Sequence, residues 1–184
     1  IRRAVAPRPR FEHEVVPVGP REANLVVERL HRRLGKVQGH KFAVGLRRVA
    51  DQELDGVAVC ARPVARHLDD GLTAEVRRVA VDPSVTNGCT KLLGAIAKAA
   101  SAMGYRRLVT YTAAGEGGAS LYAAGWDPIG SSAGGHWGSA RRPREAGPVL
   151  DDAGAGSVVS RTRHGALEGS TGRTSPRRAR RRAM

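Results

Sequence analysis

Residues 73–112 read TAEVRRVAVDPSVTNGCTKLLGAIAKAASAMGYRRLVTYT. The segment opens as a strand, TAEVRRVAVD (73–82), rich in β-branched residues and stopped by Asp82, Pro83 and Ser84. Helical periodicity then takes over at 87–103. Leu92, Leu93, Ile96, Ala100 and Met103 make an apolar stripe at helical spacing, and Gly104 supplies a C-terminal stop. A second strand, RRLVTYT (106–112), follows at once. A strand, a helix and a strand so closely joined form a crossover, which puts both strands in one sheet.

Working outward, the upstream chain supplies a strand at 13–18 and a helix at 20–34. Pro20 stands near the first helical position and Gly35 just past the end, and Leu25, Val26, Leu30 and Leu34 suggest an apolar face. Strand patterns at 42–50 and 54–64 precede the one at 73–82, separated by Asp51–Gln52 and by a polar turn at 67–71. Connections this short predict an antiparallel meander. Downstream, GASLYAA marks a short helix at 117–124 closed by Gly125, and WDPIG starts another strand. The order strand–helix–strand–strand–strand–helix–strand–helix–strand is an α+β pattern with layered helices and a mixed, mostly antiparallel sheet.

The chain has 184 residues and a net charge of +14, but the charge is unevenly placed. Of 31 basic and 17 acidic residues, nine and four fall in 1–40, eleven and nine in 41–140, and eleven and four in 141–184. The middle is nearly neutral, so its electrostatics give no case for a nucleic-acid enzyme. Residues 1–10 read as a flexible basic N-terminus and 11–144 as one domain. Residues 145–184 are dominated by Gly, Ala, Ser, Thr, Pro and Arg and are expected to be a disordered basic tail. Such a tail can contact nucleic acid or an acidic partner through counterion release, although no aromatic residue interleaves its arginines. No apolar run is long enough to span a membrane. No h-region follows the basic start, and two cysteines cannot make a disulfide framework, so a cytoplasmic location is expected. The histidines and cysteines show no metal-ligand spacing, and no metal is inferred.

The turn from strand 73–82 into helix 87–103 is where chemistry is most legible. A helix N-terminus presents unpaired amides and partial positive charge, and a glycine there admits a phosphate closely. Thr86, Asn87, Gly88, Cys89, Thr90 and Lys91 make up this turn, with Lys91 able to add a charge. An ordinary N-cap by Thr86 or Asn87 explains the same residues equally well.

The stretch from Val76 to Trp126 resembles the core of the GNAT superfamily of acyl-CoA-dependent N-acetyltransferases. The resemblance rests on Val79-Ala80-Val81-Asp82-Pro83, the turn into a leucine-bearing helix, the Gly104-Tyr105-Arg106-Arg107-Leu108 entry to the next strand, and Ala124-Gly125-Trp126. It covers about 72–142 and in detail is most similar to a small phage and mobile-element branch. It implies a twisted sheet with helices on both faces that splays between strands 73–82 and 106–112. Acetyl-CoA, as acyl donor, would lie in the splay. Its pantetheine would meet the backbone near Val79 and Val81, and its pyrophosphate the amides of 86–91. Of the family's phosphate loop, Gln/Arg-x-x-Gly-x-Gly/Ala, only Gly88 is kept, beside Val85 and Thr90. Glu116 stands where an asparagine is frequent, and the family's acid tyrosine aligns with Leu121.

Acyl transfer to a primary amine requires a base, a donor to the thioester carbonyl and an acid for the leaving thiolate. Glu75 is the candidate base, with an exposed strand residue paired to Arg77 or Arg78 as the plainer alternative. Tyr122 and Tyr111 are candidate acids, or packing residues. Cys89 is either a thiol of lowered pKa at a helix start or a small residue beside the phosphate. His136–Trp137 lines an acceptor pocket or covers the core. The expected function is an N-acyltransferase, probed by Gly88→Glu as a variant that loses the donor but keeps the fold. The alternatives are a catalytically degenerate binding module with a basic tail, and an acyl-CoA-responsive regulator.

Overall fold

The computed structural model describes residues 12–31, 34–113, 116–132 and 156–162. Its elements in chain order are β1 (His13–Pro17), α1 (Pro20–Leu30), β2 (His40–Arg48), β3 (Leu54–Ala61), β4 (Thr73–Val81), α2 (Gly88–Ala102), β5 (Arg107–Tyr111), α3 (Ala119–Ala123), β6 (Asp127–Ser132) and β7 (Gly156–Thr162). The sequence places all but the last, with ends differing by a few residues. α1 differs most, stopping at Leu30 rather than 34.

The strands form one sheet in the order β1-β2-β3-β4-β5-β7-β6. β1 to β4 are the antiparallel meander that the short turns require, and β4 meets β5 in parallel. β3 is buried along its whole length. Its side chains alternate across the sheet. Val57, Val59 and Ala61 join Ala23, Val26 and Val27 of α1, while Ala58 and Cys60 join Leu92, Leu93 and Ile96 of α2 and Leu121 of α3. Each face of the sheet thus carries its own core, and burial of side chains such as Leu92 and Ile96 stabilises the α2 face by about 1.5–3 kcal/mol each. At the other end of β3, Asp55 accepts from Arg48 at 2.6 and 2.9 Å and bonds His13 at 2.7 Å, tying β1, β2 and β3 together.

Two expected faces change. In α1 the buried residues are Ala23, Val26 and Val27, and Leu25 is exposed. The apolar stripe of α2 ends at Ala100, leaving Met103 exposed before Gly104 turns the chain at φ +92°.

The tail needs a larger correction. Gly156–Thr162, within the stretch expected to be disordered, forms β7 and pairs antiparallel with both β5 and β6. A short β-branched run suffices where two strands already offer open edges. The sheet therefore extends past the expected boundary at 144. The rest of 145–184, residues 1–10 and His136–Trp137 lie outside the described residues.

Candidate functional site

β4 and β5 pair over only three residues, Thr73↔Arg107, Ala74↔Leu108 and Glu75↔Val109. Thr110 Oγ1 donates to Val76 O at 2.9 Å just past the last pair. Beyond it, β4 runs on to Val81 with no partner strand on that side among the described residues.

A register shift in β4 accompanies this parting. Cys60 opposes Val76 and Val59 opposes Arg78, so Arg77 is the extra residue of a β-bulge. The bulge resets side-chain alternation. Glu75 opposes Ala61 and Arg78 opposes Val59, both on the α1 side, whereas Val76 and Val79 lie with the α2 core. It also resets the backbone. Leu72 O and Val76 O face β5, and Asp82 N bonds Asp55 O on β3. Alternation between these fixed points turns the amides and carbonyls of Val79 and Val81 toward the open gap.

A cavity of about 350 Å³ occupies the gap. Its wall includes Val76, Arg77, Arg78 and Val79 of β4, Thr110 and Tyr111 of β5, and Cys89 and Leu93 of α2. Gly118 to Leu121 close it at α3, Glu116 stands on the loop before them, and His31 and Leu34 close it just past α1. Because α1 and α2 lie on opposite faces, the cavity reaches both sides of the sheet.

Of the residues singled out in the sequence, Val79, Cys89 and Tyr111 line this cavity, as do Glu116 and Leu121 at the two positions that depart from the family pattern. Tyr111 is 40% exposed, and burial, then the charge of Glu75, raises its hydroxyl pKa above the ordinary tyrosine value. Its proton is therefore held throughout the neutral range.

Glu75 is not the exposed strand residue of the plainer alternative, being 4% exposed. Its Oε2 accepts from Val64 N at 2.8 Å and its Oε1 lies 3.2 Å from Arg77 Nε. Burial, only partly opposed by the Val64 amide and the arginines, pushes its pKa up. It stands behind the wall rather than in it. Tyr122 is not brought to the cavity: α3 turns Leu121 inward and leaves Tyr122 56% exposed. The position that faces inward is Leu121, the one aligned with the family's tyrosine, and not Tyr122.

The first turn of α2 also differs from expectation. Asn87 is the N-cap residue, left-handed at φ 58°, but neither it nor Thr86 makes a side-chain capping bond there. Cys89 has a raised thiol pKa, because burial outweighs the hydrogen bond to its own backbone. Thr90 Oγ1 reaches Ser120 O at 3.5 Å, joining α2 to α3. Lys91 Nζ donates to His13 O at 2.8 Å, so its charge is spent at β1. A Cβ on Gly88 would sit 2.5 Å from Val81 Cγ1 and 3.1 Å from Val85 Cγ1. Helix–strand packing thus calls for glycine here independently of any phosphate. Gly88→Glu is therefore a folding lesion, not the clean binding probe expected of it.

Three further residues complete the site: His31, which the sequence patterns missed, Arg78, which they offered only as a partner for Glu75, and Glu116, which stands at the family's asparagine position. His31 Nδ1 accepts from Leu34 N at 3.1 Å, which leaves the ring proton of the neutral tautomer on Nε2. Burial and then Arg78 lower its pKa, against the pull of Glu116. Arg78 donates from Nη1 to Arg77 O at 2.6 Å. Glu116 and Ala113 bond each other across the loop after β5, through the Glu116 amide and the Ala113 carbonyl at 3.1 Å. Adjacent arginines in an otherwise apolar strand were the available signal for Arg78. His31 had none, since only tertiary packing brings it near β4.

No protein-family model matches the sequence, and no curated protein does either. Solved structures do match in shape. The ribosomal-protein-S18-alanine N-acetyltransferase of Escherichia coli superposes with a TM-score of 0.59 at 14% identity, over 87% of this chain and 99% of that one. A Bacillus subtilis acetyltransferase crystallised with CoA gives 0.53 at 11% identity, over 82% and 99%. A Desulfovibrio desulfuricans protein assigned to the GNAT family of acetyltransferases gives 0.53 at 15%, over 83% and 97%. The narrower resemblance to a phage and mobile-element branch gains nothing from them. Among the described residues no helix is long and apolar enough to cross a membrane. The chain has the fold of GNAT acetyltransferases: a mixed sheet, helices on both faces and a parting between β4 and β5.

Proposed function

We infer that the protein is an acyl-CoA-dependent N-acyltransferase, most simply an acetyltransferase, that acts on a primary amine. The observation that carries this reading is the cavity between β4 and β5, which opens on both faces of the sheet in a chain of acetyltransferase fold. Acyl-CoA supplies an activated thioester. Its donor arm suits the α2 face, where Val79 and Val81 present free-edge backbone groups beside Cys89 and Leu93. These groups bind by hydrogen bonds indifferent to side-chain identity, which accounts for a site with so little of the family's loop. The exposed turn at Thr86 and Asn87, with the following amides of α2, is the corresponding place for the pyrophosphate. Gly88, Thr90 and Lys91 serve that turn by packing, by the link to Ser120 and by anchoring to β1.

The amine approaches from the α1 face, past His31 and Arg78. Tyr111 holds its proton at neutral pH and is the acid for the leaving thiolate. Glu75 keeps Arg77 and the bulge in place and reaches a substrate proton only through water. Tyr122 has no part in this chemistry. Titration calorimetry with acetyl-CoA tests the reading, and absence of binding at millimolar ligand overturns it. Release of coenzyme A with an amine separates an enzyme from a module or regulator that binds acyl-CoA without turnover.

A further inference from the structure

On the α1 side of the cavity stands a cation, Arg78, that makes no ion pair within 4 Å among the described residues. Arg78 is half-buried in the cavity wall, and its Nε is buried with no hydrogen-bond partner among the described residues. Its one hydrogen bond among them, from Nη1 to the Arg77 carbonyl, is to a neutral group. The carboxylate whose charge acts on it, Glu75, is already held on both oxygens by Val64 N and Arg77. The neighbouring cation Arg77 adds repulsion. His31 lines the same wall, and burial and Arg78 favour its neutral imidazole. A guanidinium half-buried in a cavity wall without an anion is costly to a fold, and a carboxylate entering the cavity meets it with charge-assisted hydrogen bonds. Glu116 lines the same cavity, its Oε2 accepting from Ala113 N at 3.4 Å, and its charge acts on His31 against that of Arg78. The cavity wall thus carries a cation and an anion together with an imidazole, a set that suits an acceptor bearing both an amine and an acid group.

We propose that Arg78 is the anchor for a carboxylate on the acceptor, so that the amine substrate is an amino acid or an acidic peptide rather than a simple amine or polyamine. The proposal rests on the transferase reading and adds a substrate class to it. The chemistry is balanced by that reaction: the amine nitrogen forms the amide bond, the thioester C–S bond breaks, and the amine proton ends on the thiol. Arg78 takes no part in bond exchange.

The test compares glutamate, aspartate and glycine with their carboxamides as acceptors, in the wild type and in Arg78→Gln, by coenzyme A release. The wild type should prefer each carboxylate by roughly tenfold to a hundredfold in kcat/KM, the range of a charge-assisted hydrogen bond. Arg78→Gln should abolish that preference through the acceptor KM and leave the KM for acetyl-CoA unchanged. Equal use of acids and amides by the wild type, or a preference that survives in Arg78→Gln, overturns the proposal and leaves the transferase reading standing. If no acceptor supports release, the same acids are titrated directly into both proteins with and without coenzyme A. Binding that weakens by about tenfold or more in Arg78→Gln upholds the anchor. Equal or absent binding in the two proteins refutes it, while binding of acetyl-CoA in the same cell separately decides the transferase reading.

Discussion

Gly88→Ala separates the two explanations for the glycine at the head of α2. The added Cβ meets Val81 Cγ1 at 2.5 Å, Val85 Cγ1 at 3.1 Å and Leu46 Cδ1 at 3.3 Å. Carbon atoms rest in contact at about 3.5–4.0 Å, so Val81 has to retreat by roughly 1 Å. Val81 is on β4 with its side chain against the α2 core, and moving it shifts the strand itself. Overpacking of this kind costs about 1–3 kcal/mol. The better helix propensity of alanine offsets at most ~1 kcal/mol, and less at a first helical position. The expected net loss is about 1–2 kcal/mol, seen as a Tm lower by roughly 3–8 °C. Chemical and thermal denaturation of the unliganded protein measure it directly. Val81→Ala removes the colliding methyl, so the double variant should be less destabilised than the two singles together by about 1 kcal/mol. If Gly88→Ala is as stable as the wild type and loses only acetyl-CoA affinity, the packing explanation fails and the phosphate explains the glycine.

Three further outcomes follow from the site and the sheet. Tyr111→Phe should lower kcat by about a hundredfold, while Tyr122→Phe leaves it unchanged. In the wild type the alkaline loss of activity assigned to Tyr111 should lie above the ordinary tyrosine value of 10.0, because burial raises that hydroxyl; equal effects of the two variants refute the assignment. Glu75 has a folded pKa raised above its ordinary 4.5, so the native state binds its proton more tightly than the unfolded chain does. That contribution to stability is full below 4.5 and is lost as pH rises through the higher folded value. Glu75→Gln should flatten the stability profile in that window, and parallel profiles for the two proteins would contradict the burial argument. A chain ending at Ala155 should lose its cooperative unfolding transition, whereas one ending at Arg163 keeps it; two equal melting curves would remove β7 from the sheet.

The order of elements was legible because the meander and the crossover each carry a local signature: short polar turns, β-branched strands, and one helix with a clean apolar stripe. What escaped depends on contacts distant in sequence. Val158 and Val159 vanish in a forty-residue average of Gly, Ala, Ser and Arg, and only the open edges of β5 and β6 make a strand of them. The bulge at Arg77 has no composition of its own, yet it decides that Arg78 faces α1 and that Val79 faces the gap. Periodicity in α1 counted Leu25 as apolar, but the narrow space over β3 accepts Ala23, Val26 and Val27 instead. For the site, the turn at 86–91 was visible as a turn. The packing demand on Gly88 was not, since Val81 and Leu46 had first to be brought against it.

The place of β7 between β5 and β6 has a consequence for how the molecule is made. During synthesis β6 emerges well before the strand that must sit between it and β5. Until residue 162 is available, β5 keeps one unsatisfied edge and β6 has nothing to join. Pairings so separated in sequence close slowly, because the loop entropy is lost before the contacts form. The meander and α2 are composed of nearer contacts and are suited to form first. The wall of the cavity that carries Tyr111 is then the last part to become rigid. A nascent chain stalled before Gly156 would have its core helices in place but only half a binding site, with a strand edge open to mispairing.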